Sequence, residues 1–158
     1  MQAVRILSLL VALSGVTVPE GIAFEQPVRC QETLNIQQTY AWDLDDGIVA
    51  QTGEPLDAPY DIQYAATLTP MNTISRSLVP KNGATLAVVG ASTVGYLGCR
   101  SANLSNRPLN LGKLPKGTHL CARTNEGRYS EFSIVDLYPP YPASDVLTLV
   151  ITYTTWER

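Results

Sequence analysis

The sequence predicts an all-β domain, an antiparallel β-sandwich or partly closed barrel of about eight or nine short strands. Three observations predict it. Apolar residues recur at every second position, the period of a strand, and almost nowhere at the helical spacing. Gly, Pro, Asn and Asp punctuate the chain at short intervals, as turns require. The C-terminal third is dense in β-branched and aromatic residues, which suit a pleated, half-buried surface.

The first 23 residues stand apart from the fold. Met1 to Arg5 carries one positive charge, Ile6 to Val18 is uncharged and apolar or small, and Gly21-Ile22-Ala23 places small residues at the −3 and −1 positions of a cleavage site. That is the grammar of a secretory signal peptide, cleaved after Ala23. The apolar run is shorter than the roughly 20 residues a bilayer-spanning helix needs. No cysteine follows it where a lipid anchor would attach. The expected organisation is a signal peptide over 1–23 and a single β-rich domain over 24–158, secreted or periplasmic, with no membrane association after cleavage.

The elements of that domain read in order. The segment 34–49 is a strand, an Asp-Gly turn and the start of a return. In 60–68, Tyr60, Ile62, Tyr64, Ala66 and Leu68 share one face, and Asp61, Gln63, Ala65 and Thr67 the other. Segments 74–79 and 84–90 suit strands, and Pro80-Lys-Asn-Gly83 between them has turn chemistry. Residues 95–99 are short and flanked by glycine, 100–108 is a polar loop, and 109–111 is a short strand before the Pro115-Lys-Gly117 turn. Residues 118–124 and 129–135 form a hairpin around Asn125-Glu-Gly-Arg128. The prolines of 138–144 exclude a helix or a central strand there, and 146–155 is the last strand.

Composition narrows the partners. Charged residues make up 16% of the chain and the net charge is −3, against a usual charged share of about 25%. Lys and Arg form no cluster, so a nucleic-acid partner is not expected. No nucleotide-binding glycine loop and no G-x-S-x-G line is present. No cofactor is expected.

Cys30, Cys99 and Cys121 are the three cysteines, and an exported chain is expected to pair two of them. Cys99 with Cys121 is the preferred bridge because both lie in the strand-rich body. Pairing of Cys30 with either of the others stays open, since connectivity is not readable from sequence. His119, the only histidine, stands two residues from Cys121. Residues two apart on a strand share a face, so a Cys–His nucleophile is conceivable. A strand residue beside a disulfide half is the simpler reading. One histidine excludes a multi-histidine zinc site.

Two further sets remain. Asp43, Asp45 and Asp46 in Trp42-Asp-Leu-Asp-Asp-Gly47 resemble the start of a calcium loop, with Glu54 at the twelfth position, but Gly47 comes one residue early. A strand entering an Asp-Gly turn is the preferred reading, with no metal; the same acids would be the best residues of a hydrolase. Tyr40, Trp42, Tyr60, Tyr64 and Tyr96 could line a binding platform, and Tyr138 and Tyr141 sit in the loop most suited to exposure. Trp42, Tyr138 and Tyr141 are the candidate ligand contacts. Asn103-Leu-Ser105 is a glycosylation sequon, meaningful in a eukaryotic secretory host.

The line Gly117–Ile134, GTHLCARTNEGRYSEFSI, followed by a strand ending Tyr153-Thr-Thr-Trp156, resembles an uncharacterised bacterial extracytoplasmic β-rich domain. Trp42–Gly47 and Pro80–Gly90 look like earlier parts of the same pattern. The resemblance implies a secreted bacterial β domain and no particular chemistry. The expected function is a non-catalytic binding module for a glycan or another protein. The alternatives are a structural or adhesive surface component joined through Cys30 or an edge strand, and a hydrolase using acidic residues.

Overall fold

The computed structural model describes residues 25–50, 59–138 and 147–158. The expected leader and its cleavage site, Glu54, Tyr141 and the side chain of Tyr138 lie outside the described residues. Among those described, ten strands and one short helix follow one another. They are β1 (Val28–Gln37), β2 (Ala41–Trp42), β3 (Val49–Ala50), β4 (Ile62–Leu68), β5 (Ile74–Pro80), β6 (Thr85–Gly90), α1 (Gly95–Ser101), β7 (Leu109–Asn110), β8 (His119–Arg123), β9 (Tyr129–Tyr138) and β10 (Thr148–Trp156). A single 3-10 turn, Leu111–Lys113, follows β7.

The strands form two five-stranded sheets. The front sheet runs β1-β10-β9-β8-β6 and the back sheet β3-β2-β4-β5-β7. Every strand pairing is antiparallel. Each sheet keeps two edges, so the architecture is a sandwich and not a closed barrel.

Alternation decides what lies between the sheets. Along β10, Leu149, Ile151 and Tyr153 turn inward, and Thr152 and Thr154 turn outward. Ile36, Leu120, Phe132 and Ile134 join them from the front sheet. Trp42, Ile62, Tyr64 and Leu78 meet them from the back sheet, in one contiguous apolar cluster. Fully burying each such side chain contributes roughly 1.5–3 kcal/mol. This cluster absorbs most of the expected aromatic platform: Trp42 and Tyr64 are completely buried in it and Tyr40 packs against it, while Tyr60 is buried in a smaller cluster with Ala41 and Ala50. Trp42 is therefore a core residue and not a ligand contact. It lies on a short strand between β3 and β4, and its ring sits in the apolar cluster that both sheets share.

Two elements depart from the sequence reading. The first strand does not run on toward the Asp-Gly turn. The chain leaves the front sheet after Gln37 and enters the back sheet at Ala41. The corner is held by Tyr40 N donating to Gln37 O (3.1 Å) and Thr39 N donating to Tyr64 O (2.6 Å), with Thr39 at φ 78°. The expected return is the β2–β3 hairpin, Trp42 opposite Val49. Residues 95–101 form a helix, too short to show a 3.6-residue period. Its Gly98 lies so near Val94 that a Cβ there would stand 2.4 Å from the Val94 Cβ. No helix among the described residues is long and apolar enough to cross a membrane.

Candidate functional site

The outer face of the front sheet is built by cross-strand register. Gln31 and Thr33 on β1 lie opposite Thr154 and Thr152 on β10. These lie opposite Glu131 and Ser133 on β9, which lie opposite Cys121 and His119 on β8. Eight polar or small side chains therefore share one surface in four adjacent strands. Helix α1 covers one end of that surface by packing on β9.

The helix is held there by a bond and a carboxylate. Cys99 on the helix is disulfide-bonded to Cys121 on β8, with a Cα–Cα distance of 5.1 Å, and both residues are fully buried. The preferred pairing is the one observed, and Cys30 is the free cysteine. Val94, at the helix N-cap, makes no side-chain cap bond. Glu131 replaces it from the sheet. Its carboxylate accepts from Gly95 N (2.7 Å), Val94 N (3.0 Å) and Thr93 Oγ1 (2.9 Å), which satisfies amides that a helix start leaves without partners.

His119 Nδ1 lies 2.8 Å from the same carboxylate. The Cys121 thiol is consumed in the disulfide, so the His119–Cys121 nucleophile does not exist in the oxidised protein. Glu131 does orient the imidazole as a catalytic carboxylate would. The nearest cross-strand hydroxyl, Ser133 Oγ, is hydrogen-bonded to Thr152 Oγ1 at 2.8 Å. The His119–Glu131 pair therefore belongs to the anchoring of α1.

Beyond the helix the outer face opens into a trough of about 450 Å³, lined by Gln31, Thr33, Thr93, Ser133, Thr152, Thr154 and Trp156, with His119 and Glu131 at its helical end. Ligand pockets commonly span about 300–1,000 Å³. Trp156 shares the outward parity of Thr152 and Thr154 and is half-buried. Tyr96 of α1 meets its ring edge-to-face with centroids 5.9 Å apart, and meets Tyr129 at the same distance. Of the expected platform, Tyr96 is thus the member that reaches this surface. Trp156 was missed as a site residue, although the alternation Thr152, Thr154, Trp156 was available as a signal.

The Asp-Gly turn holds a second constellation. Asp43 and Asp45 come together as the calcium-loop spacing suggested, but their third partner is Asp61 and not Asp46. One carboxylate oxygen from each of the three lies within 4.8 Å of the others. Asp46 turns outward to Arg29, with an N–O distance of 2.5 Å. Asp43 Oδ1 accepts from Asp45 N (2.7 Å) and shapes the turn. Asp61 accepts from Leu44 N (2.9 Å) and Asn125 N (2.6 Å), joining the turn to the β8–β9 loop. Thr155 Oγ1 donates to Leu44 O (2.6 Å) from the front sheet.

These groups close one end of the sandwich. Their burial makes ionisation costly: it pushes Asp43 and Asp45 upward and carries Asp61 to about 7. The acids converge in the interior and not in an open cleft, which is not the arrangement glycoside hydrolysis needs. Cys30 is half-buried, its Sγ 3.0 Å from Tyr153 Oη.

Comparison with protein-family models, curated proteins and solved structures finds no match for this chain.

Proposed function

We propose that the chain is a non-catalytic binding module, secreted or periplasmic and of bacterial type, whose ligand is a glycan held on the outer face of the front sheet. The observation that carries the reading is Trp156 standing beside a field of hydroxyls from Thr33, Ser133, Thr152 and Thr154 in one trough. A sugar ring offers an apolar face and a rim of hydroxyls. An indole suits the face. Threonine and serine hydroxyls both donate and accept, so they match the rim without a charged partner. The sheet and the pinned helix make these groups rigid, which lowers the ordering cost of binding. The disulfide fits an oxidising compartment outside the cytosol.

A glycan array probed with the oxidised protein, followed by titration calorimetry on the hits, tests the reading. Binding that weakens at least ~10-fold in Trp156→Ala, about 1.4 kcal/mol, and weakens further with Thr152→Val is the expected result. Glycan binding that survives Trp156→Ala unchanged would place the ligand elsewhere. Absence of binding across bacterial and host glycans would end the glycan reading.

A further inference from the structure

We infer that the buried acids Asp43, Asp45 and Asp61 form a binding site for a hard divalent cation, calcium by the chemistry of its donors. The cluster alone would be an acidic end-cap. Its unsatisfied oxygens point to a ligand. Asp43 and Asp45 are each 1% exposed, yet Asp43 Oδ2 accepts no hydrogen bond among the described residues, and Asp45 has only the Arg128 guanidinium and the Thr124 hydroxyl beside it. Asn125 Oδ1, on the residue whose amide binds Asp61, is buried without a partner as well. Buried carboxylate oxygens are ordinarily hydrogen-bonded or bound to a metal, because an unpaired one is costly.

Among the described residues the candidate ligands are carboxylate and amide oxygens, and no imidazole or thiolate joins the group. That favours calcium, magnesium or manganese over zinc or copper. One oxygen from each of the three carboxylates lies within 4.8 Å of the others, close enough to share one ion. Calcium tolerates an irregular oxygen shell whereas magnesium demands near-ideal octahedral geometry, so a site fixed by a turn and a strand end suits calcium better.

Charge agrees. Arg128 Nη1 reaches Asp45 Oδ1 at 3.3 Å. That guanidinium is shared with Glu126 and Glu157, so it does not neutralise the three acids, and a cation would still meet negative charge there. The ion would join the β2–β3 turn, the start of β4 and, through Asn125, the β8–β9 loop, and so tie the two sheets at one end.

The test uses the full exported protein after exhaustive chelation. Terbium stands in for calcium, because the indole of Trp42, next to Asp43 in the chain, can sensitise its emission. Sensitised emission saturating at one ion per chain and displaced by calcium is expected, together with a higher Tm in calcium. Affinity should fall at least ~10-fold in Asp43→Asn and in Asp45→Asn, as disruption of a metal site does, and stay within about twofold in Asp46→Asn. Should the buried variants not fold, pseudocontact shifts from terbium in the unaltered protein locate the ion. Shifts converging between Asp43 and Asp61 support the site. Shifts converging elsewhere, or no response of emission and Tm to either ion, overturn it.

Discussion

Replacing Cys99 and Cys121 together by alanine removes the one covalent tie between helix α1 and the front sheet. The bridge spans 22 residues of chain. On the chain-entropy relation, a loop of that length stabilises the folded state by about 3 kcal/mol through the unfolded ensemble. For a domain of this size each kcal/mol moves the midpoint by roughly 3–4 °C, so the double variant should melt about 10 °C lower. Glu131 still caps the helix start, so the fold should persist with its strand spectrum intact. The loss should be concentrated in α1, whose amides should exchange fastest relative to the intact protein. Thermal melts monitored by circular dichroism, with and without reductant, read the magnitude, and alkylation of the native protein counts free thiols. One thiol per chain, Cys30, is expected. Three alkylated thiols, with a Tm indifferent to reductant, would refute the reasoning and return a free Cys121 to the neighbourhood of His119.

Three further outcomes follow from the same geometry. In calcium-free buffer, stability should fall as pH rises from about 4 to about 7. Asp61 holds its proton up to about 7 in the folded state against 3.8 ordinarily, so the folded protein binds the extra proton across that window and loses the advantage as pH climbs through it. A shift of about three units corresponds to roughly 4 kcal/mol, and urea melts across the range should show a slope that Asp61→Asn reduces, with the part due to Asp43 and Asp45 remaining; a stability rising with pH would contradict it. Glu131→Ala leaves the α1 amides and His119 without their acceptor, which should cost about 2–3 kcal/mol by the measure of hydrogen bonds to charged groups; protection of the Val94 and Gly95 amides in hydrogen exchange should vanish first. Gly47→Ala should cost about 1–3 kcal/mol in chemical denaturation, because Gly47 has φ 71° and an added Cβ would sit 2.8 Å from Tyr153 Oη.

What the sequence made legible was local. Alternation placed β4, β5, β6, β8, β9 and β10 within a few residues, because a strand's inward and outward faces are written directly in its side chains. The same logic gave the sandwich, and the expectation of an oxidising compartment led to the Cys99–Cys121 pairing. Helix α1 was hidden because its seven residues hold two glycines and its cap is Glu131, 36 residues from Gly95 and on a sheet strand. The corner at Thr39 was hidden because a strand changing sheets keeps its composition. Trp42 was misplaced for a related reason: which face of a two-residue strand looks inward depends on its neighbours β3 and β4. The acidic turn was half legible, since Asp43 and Asp45 are local to it while Asp61 enters from the start of β4. The trough was legible along β10 alone, as Thr152, Thr154 and Trp156 on one face. Its other wall comes from β1, β9 and α1, which only the fold brings together.

The measurement that tests the central claim most directly is amide and indole chemical-shift mapping by NMR of the oxidised protein with a glycan that it binds. The account predicts perturbations confined to the outer face of the front sheet, with the Trp156 indole and the amides around Thr33, Ser133 and Thr152 moving together. Perturbations gathered on the back sheet, or on the loops between sheets with Trp156 unmoved, would contradict it.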